Sequence, residues 1–222
     1  MTAAIVVALS CTGLALAASN RPRSANLDSD PALERVVPRP LCEAADGTLT
    51  PPQPRCADDQ FKRRRIEIED SCAGAVHAIP ISSVQDFVNR LRVVEADGAT
   101  SRPEVFFDIR SGATGRGGEA RVVRLGDAAP GACPKALTLF RYPSRATLGP
   151  VPSGASGHDD WSPLLGNYSR RYRGREIRLT ETYVDRNDAF CCPSFKRVSY
   201  FRYNRARERY VRYLTRVSRI KG

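Results

Sequence analysis

Ser83-Val84-Gln85-Asp86-Phe87-Val88-Asn89-Arg90-Leu91-Arg92-Val93-Val94-Glu95 is the stretch that decides between two fold classes. Its apolar residues Val84, Phe87, Val88, Leu91 and Val94 recur at the spacing that places one stripe along an α-helix. Ser82 or Ser83 supplies a capping side chain, and Gln85 or Asp86 follows three residues later as its reciprocal partner. Asp97-Gly98 ends the run. The spacing therefore predicts a helix over 83–95 whose stripe packs on a core.

The remaining apolar periodicity reads as strand. Ile66 and Ile68 alternate with acids within Phe61–Asp70, which gives a short strand with one buried face and a solvated basic run at Lys62–Arg65. Glu104–Arg110 and Ala120–Leu125 flank the glycine loop Gly112–Gly118 and form a hairpin. Lys135–Tyr142 and Arg175–Val184 are further strands. In the latter, Ile177, Leu179 and Tyr183 share a face that Glu181 interrupts. Val198–Tyr203 and Arg209–Leu214 pair across Asn204–Arg207. One helix and these strands predict an α+β domain over 61–222, a twisted, mainly antiparallel sheet with one covering helix, stapled by disulfides.

Residues 18–60 carry Pro22, Pro31, Pro38, Pro40, Pro51, Pro52 and Pro54 with few apolar runs. Proline at this density disfavours helix and sheet, so the stretch is expected to be a tether. Ahead of it, Ala3–Ala18 is an uncharged apolar segment of export-signal length, and Ala15-Leu16-Ala17 fits a small-x-small cleavage site. Residues 1–17 are expected to be a signal peptide that leaves no transmembrane span. Ala8-Leu9-Ser10-Cys11 is a degraded lipobox, and the apolar run continues past Cys11, which favours a cleaved, secreted form over lipid anchoring there.

Six cysteines then remain: Cys42, Cys56, Cys72, Cys133, Cys191 and Cys192. An even number in an exported chain reads as a disulfide framework. Adjacent cysteines in an extended segment point to opposite faces, so Cys191 and Cys192 are expected to tie two other segments to one spot. The expected pairing joins Cys133 to one of them, Cys72 to the other, and Cys42 to Cys56. No Cys-x-x-Cys is present and neither His77 nor His158 has a ligand at zinc spacing, so no metal or cofactor is expected.

The net charge is +11, and residues 170–222 carry all of that excess, with 16 Lys plus Arg against 5 Asp plus Glu. A basic C-terminal face suits an anionic envelope polymer or a lipid surface. Arg202, Arg205, Arg207, Arg209 and Arg212 are the candidate anion-binding residues. Tyr200, Tyr203, Tyr210 and Tyr213 interleave with them, a pattern also used by single-strand nucleic-acid platforms. Outside the cytoplasm nucleic acid is the disfavoured partner.

Catalysis has little support in the residues. The glycine loop lacks Gly-Lys-Ser/Thr and no helix follows it, so it is read as a hairpin loop. Asp185, Asn187 and Asp188 lack the glycine and distal glutamate of a calcium loop and read as a turn. The alternative to a binding domain is a secreted hydrolase using His158 with Asp159 or Asp160, in what reads as an exposed loop. His77 reads as a strand residue.

Asp188-Ala189-Phe190-Cys191-Cys192-Pro193-Ser194, followed by Tyr200-Phe201-Arg202-Tyr203, resembles the LppP/LprE family of actinobacterial exported lipoproteins. Phe106–Leu125, with Gly117, Glu119, Val122 and Val123, resembles that family's strand–glycine loop–strand unit, and Gly131-Ala132-Cys133 stands where its upstream cysteine is expected. The chain departs from the family pattern in a loop without aspartates and in its poor lipobox. The resemblance implies an envelope-associated or secreted protein of uncharacterised activity, and it brings no catalytic residues.

Overall fold

The computed structural model describes residues 21–28, 30–53, 55–58, 61–79, 87–95, 102–111, 117–129, 132–169, 174–185 and 193–220. The signal segment, Cys11, Cys191, Cys192, Asn187, Asp188 and most of the glycine loop lie outside them.

Among the described residues, three sheets follow one another along the chain. The first contains β1 (Arg23–Ala25), β2 (Glu34–Glu43), β3 (Leu49–Thr50), β4 (Phe61–Glu69) and β5 (Val76–Ile79). The second contains β6 (Phe87–Val94), β7 (Glu104–Ser111), β8 (Gly117–Leu125) and β9 (Ala136–Tyr142). The third contains β10 (Ala155–Gly166), β11 (Glu176–Asp185), β12 (Phe195–Asn204) and β13 (Arg209–Arg219). The second and third are antiparallel meanders in simple sequence order, and in the first β4 lies between β2 and β5.

The second sheet is the middle layer. Val88, Leu91, Val105, Phe107, Ile109, Val123 and Leu125 pack with Val36, Ile66, Ile68 and Ile79 of the first sheet. On its other face Phe106, Ala120, Val122, Phe140 and Tyr142 pack with Trp161, Ile177, Leu179, Phe201 and Tyr203 of the third. Alternation along β7 sends Val105, Phe107 and Ile109 one way and Phe106 the other. A strand buried on both faces needs apolar residues at successive positions, which is why Val105-Phe106-Phe107 runs without a polar break. Full burial of each such side chain stabilises by about 1.5–3 kcal/mol.

The expected α+β class is therefore wrong: the fold is all-β, and no covering helix exists among the described residues. Phe87–Val94, the described part of the expected helix, is β6. Its register against β7 shifts between Val88 and Arg90. The extra residue of such a bulge lets Val88 and Leu91, three apart, face the same side. Both are buried against the first sheet, at 1% and 4% exposure, whereas Val94 packs into the opposite cluster. A helical stripe would have put all three on one face.

The proline-rich stretch is not a tether either. Glu34–Glu43 pairs along its length with β4, and Val36 and Cys42 are buried. On the other edge of β2, β1 reaches only as far as Val36 and β3 begins at Cys42. Pro38 and Pro40 sit in that gap, where one side of the strand has no ladder for the missing N–H to interrupt.

Gly118 shows one backbone requirement of the middle sheet. Its φ is +136°, and a Cβ there would lie 2.0 Å from the Ile109 carbonyl oxygen, so the β7–β8 pairing admits only glycine at this point.

Two disulfides form among the described residues. Cys42 pairs with Cys56, as expected, across Cα atoms 5.3 Å apart. Cys72 pairs with Cys133, Cα atoms 5.5 Å apart. The second bond corrects the expectation that each of these cysteines reaches the adjacent pair. The 3-10 turn Cys72–Gly74 and the approach to β9 are brought together because the first two sheets pack face to face. Bridges of this kind point to an oxidising compartment outside the cytoplasm. No helix among the described residues is long and apolar enough to cross a membrane.

Candidate anion-binding face

The C-terminal hairpin does not present its arginines and tyrosines as one surface. Phe201, Tyr203 and Tyr210 are buried in the core between the second and third sheets. Their neighbours Tyr200 and Arg202 therefore point to the outer face of the third sheet. On β11, Ile177 and Leu179 face inward, so Arg178 between them also faces out. The register shift between Tyr200 and Phe201 makes Tyr213 an extra residue on β13.

These outward residues meet. Tyr168 contacts Tyr200 with ring centroids 5.8 Å apart, and Tyr200 contacts Tyr213 at 6.2 Å. The Arg178 guanidinium lies 5.2 Å from the Tyr168 ring, and that of Arg202 lies 5.1 Å from the Tyr213 ring. The result is a row of three rings with a cation at each end, a cation–π arrangement that holds both guanidinium planes in place. Glu176 is buried beside the row, and its Oε2 accepts from the Tyr168 backbone N–H at 3.0 Å. Burial and the Glu176 carboxylate push the Tyr213 phenol well above its ordinary range, so it stays a hydroxyl donor.

Of the five arginines expected to bind anions, Arg202, Arg205, Arg207 and Arg209 are exposed, and none of them makes an ion pair among the described residues. Arg205 and Arg207 occupy the 3-10 turn between β12 and β13, whose first N–H groups are capped by Asn204 Oδ1 accepting from Arg207 N at 3.0 Å. Arg212 leaves the set. It lies opposite Phe201 on the inner face, stacks on that ring at 5.4 Å and donates to the Thr147 carbonyl. Burial, then the nearby Arg197, lowers its pKa from the usual arginine value. Sequence reasoning missed Tyr168 and Arg178. The signal for Arg178 was its place between the two inward residues Ile177 and Leu179.

The catalytic alternative meets a different geometry. His158 is in β10, not in a loop. Its Nε2 lies 3.3 Å from the Tyr142 hydroxyl and 3.8 Å from Glu181 Oε1, and its ring packs edge-on against Tyr183 at 5.0 Å. Glu181 Oε1 also accepts from Tyr142 at 3.0 Å, Tyr183 at 3.2 Å and Arg197 Nη2 at 2.6 Å. Burial, the largest influence, lowers the pKa of His158. Asp159 Oδ2 accepts from Thr182 Oγ1, and Asp160 from Arg110 at 3.4 Å. No serine or cysteine hydrogen-bonds His158 among the described residues; its ring borders the buried polar group of Glu181, Arg197, Tyr142 and Tyr183. His77 is a strand residue of β5, as expected, with Nε2 2.9 Å from Asp70 Oδ2.

No family model, curated protein or solved structure matches the chain.

Proposed function

We propose that the chain is an exported binding domain of the cell envelope that holds an anionic polysaccharide on the outer face of its C-terminal sheet. The observation that carries this reading is the row Arg178–Tyr168–Tyr200–Tyr213–Arg202 on a face turned away from the core. Partly exposed aromatic faces stack on sugar rings or other flat groups, and flanking guanidinium groups take carboxylate or phosphate oxygens bidentately. Arg205, Arg207 and Arg209 extend the positive field past one end of the row. The apolar N-terminal segment, the disulfides and the resemblance to LppP/LprE proteins support the exported setting.

The test is retention of the full chain on immobilised polygalacturonate as NaCl is raised, with neutral dextran and phosphatidylglycerol vesicles as the other arms. Salt-sensitive retention on polygalacturonate, weakened by Tyr200→Ala and by Arg202→Ala and absent on dextran, is the expected result. Equal binding to the vesicles that ignores Tyr200→Ala would make the face a lipid-surface patch and overturn the polysaccharide reading. No retention at low ionic strength would overturn the binding reading altogether.

A further inference from the structure

A second polar centre is gathered on segments of the first sheet, remote in sequence from the basic face. Asp28 and Asp30 lie in the segment that joins β1 to β2, Glu34 opens β2, and Asp70 follows β4. Each contributes a carboxylate oxygen to a group whose members all lie within 4.8 Å of one another. Asp28 is 9%, Asp70 5% and Glu34 0% exposed.

The neighbouring groups do not balance this charge. Among the described residues no lysine or arginine pairs with Asp28, Asp30 or Glu34, and Asp70 has His77. The hydrogen bonds present are local. Asp30 N donates to Asp28 Oδ1 at 2.8 Å, Ala32 N to Asp30 Oδ1 at 2.7 Å, Ser71 Oγ to Asp30 Oδ2 at 2.8 Å and Cys72 N to Asp70 Oδ1 at 2.8 Å. Glu34 Oε2 accepts from Leu27 N.

Glu34 Oε1 is buried and has no partner. A buried carboxylate oxygen without a donor is costly, and native structures keep such groups where something outside the chain satisfies them. Asn26 repeats the pattern. Its Nδ2 donates to the Asp30 carbonyl, while its Oδ1 is buried and unpartnered. Among the described residues no donor reaches either oxygen.

We propose that Asp28, Asp30, Glu34 and Asp70 form a binding site for a calcium-sized hard divalent cation. Four carboxylates within 4.8 Å of one another are an all-oxygen set that suits a hard cation. Calcium takes several carboxylates in flexible geometry, whereas magnesium keeps most of its waters and uses one or two carboxylates. A cleft of about 350 Å³, lined in part by Asp28, Asp30, Cys72, Arg102 and Asp127, opens beside the group and gives the ion its route in. The bond Cys72–Cys133 ties the turn after Asp70 to the chain entering β9.

The experiment is calorimetric titration of CaCl2, and separately MgCl2, into full chain stripped with a chelator, with thermal unfolding followed in parallel. The expected result is one saturable calcium site per chain, a transition temperature that rises with calcium and a weaker response to magnesium. Affinity in the range of extracellular modules, about 10⁻⁴–10⁻³ M, would fit the exported setting. Glu34→Gln and Asp28→Asn should each weaken calcium binding at least as much as loss of a supporting group does, about tenfold to a hundredfold. Asp46→Asn, in the exposed turn between β2 and β3, should leave it unchanged. Should Glu34→Gln fail to fold, Asp28→Asn carries the test. Absence of heat and of any thermal shift in the wild-type chain at about 10 mM CaCl2, well above that range, would overturn the site. So would calcium binding that both variants leave intact.

Discussion

Glu181 on β11 and Arg197 on β12 are direct cross-strand partners, and both are buried, at 0% and 1% exposure. Arg197 Nε donates to Glu181 Oε2 at 2.7 Å and Nη2 to Oε1 at 2.6 Å, while Nη1 reaches the Pro150 carbonyl. The pair occupies the inward face otherwise held by Ile177, Leu179 and Phe201. The acid that interrupts the apolar alternation of β11 is thus matched across the ladder. Removing one partner leaves an unpaired buried charge, so Glu181→Ala or Arg197→Ala should each cost about 3–5 kcal/mol of unfolding free energy. The double variant Glu181→Ala with Arg197→Ala should cost less than the two single losses combined. Urea unfolding of the three proteins measures this, and additive losses would mean the pair is not coupled.

His158 in the same network makes stability depend on pH. Its folded pKa is lowered below the ordinary 6.5, first by burial and then by Arg197, against the opposing pull of Glu181. The unfolded chain therefore binds more protons than the folded one between the folded value and 6.5. Stability rises with pH through that window, is fully present above it, and is lost as pH falls. Melting temperature should drop between pH 7.5 and about pH 5, above the range where ordinary carboxylates titrate. His158→Asn should flatten that part of the curve. A variant with an unchanged pH profile would show that the ring is not desolvated.

Most strands were legible because their apolar residues alternate: Ile66 and Ile68, Ile177 and Leu179, and the C-terminal hairpin all fall where their spacing placed them. The failures have local causes. The bulge in β6 turned period two into an apparent helical spacing at Val88 and Leu91. β10 was hidden by Gly157, His158, Asp159, Asp160 and Pro163, which read as loop. As an edge strand, β10 tolerates Pro163, because one side of its backbone needs no ladder. The basic face was half legible. Composition showed arginine and tyrosine interleaved, but the bulge at Tyr200/Phe201 decides that Tyr213 joins Tyr200 outside while Tyr210 and Arg212 turn inward. The acid group at Asp28 was masked by the proline density around it, which suggested a tether where the chain in fact builds a sheet.

The two disulfides among the described residues differ in the chain length they close. Cys42 and Cys56 are 14 residues apart, and Cys72 and Cys133 are 61 apart. In the chain-entropy account the short loop contributes about 3 kcal/mol and the long one about 4 kcal/mol. Replacing both cysteines of a bridge with serine should therefore cost more at Cys72 and Cys133 than at Cys42 and Cys56. The longer bridge also joins two layers, so its loss should lower the midpoint of the whole unfolding transition. Equal midpoints for the two double variants in guanidinium would contradict this ordering.

Arg202 and Arg212 lie on paired strands of one hairpin yet should separate stability from binding. Arg202 is exposed and rests on the Tyr213 ring, so Arg202→Ala removes a surface cation and little packing. Its cost in stability should stay below about 1 kcal/mol. Its effect should show in polygalacturonate retention, where losing one contact lowers the slope of log affinity against log salt by about one. Arg212 instead covers Phe201 and donates to the Thr147 carbonyl. Truncating it to alanine strips packing from its stem as well as a part-buried charge-assisted hydrogen bond. Arg212→Ala should lower the unfolding free energy by about 1.5–3 kcal/mol and leave the salt slope of retention as it was. Salt-gradient elution and urea unfolding of both variants give the comparison. A lowered salt slope in Arg212→Ala would return Arg212 to the anion-binding set and show that the inward side of the hairpin also meets the ligand.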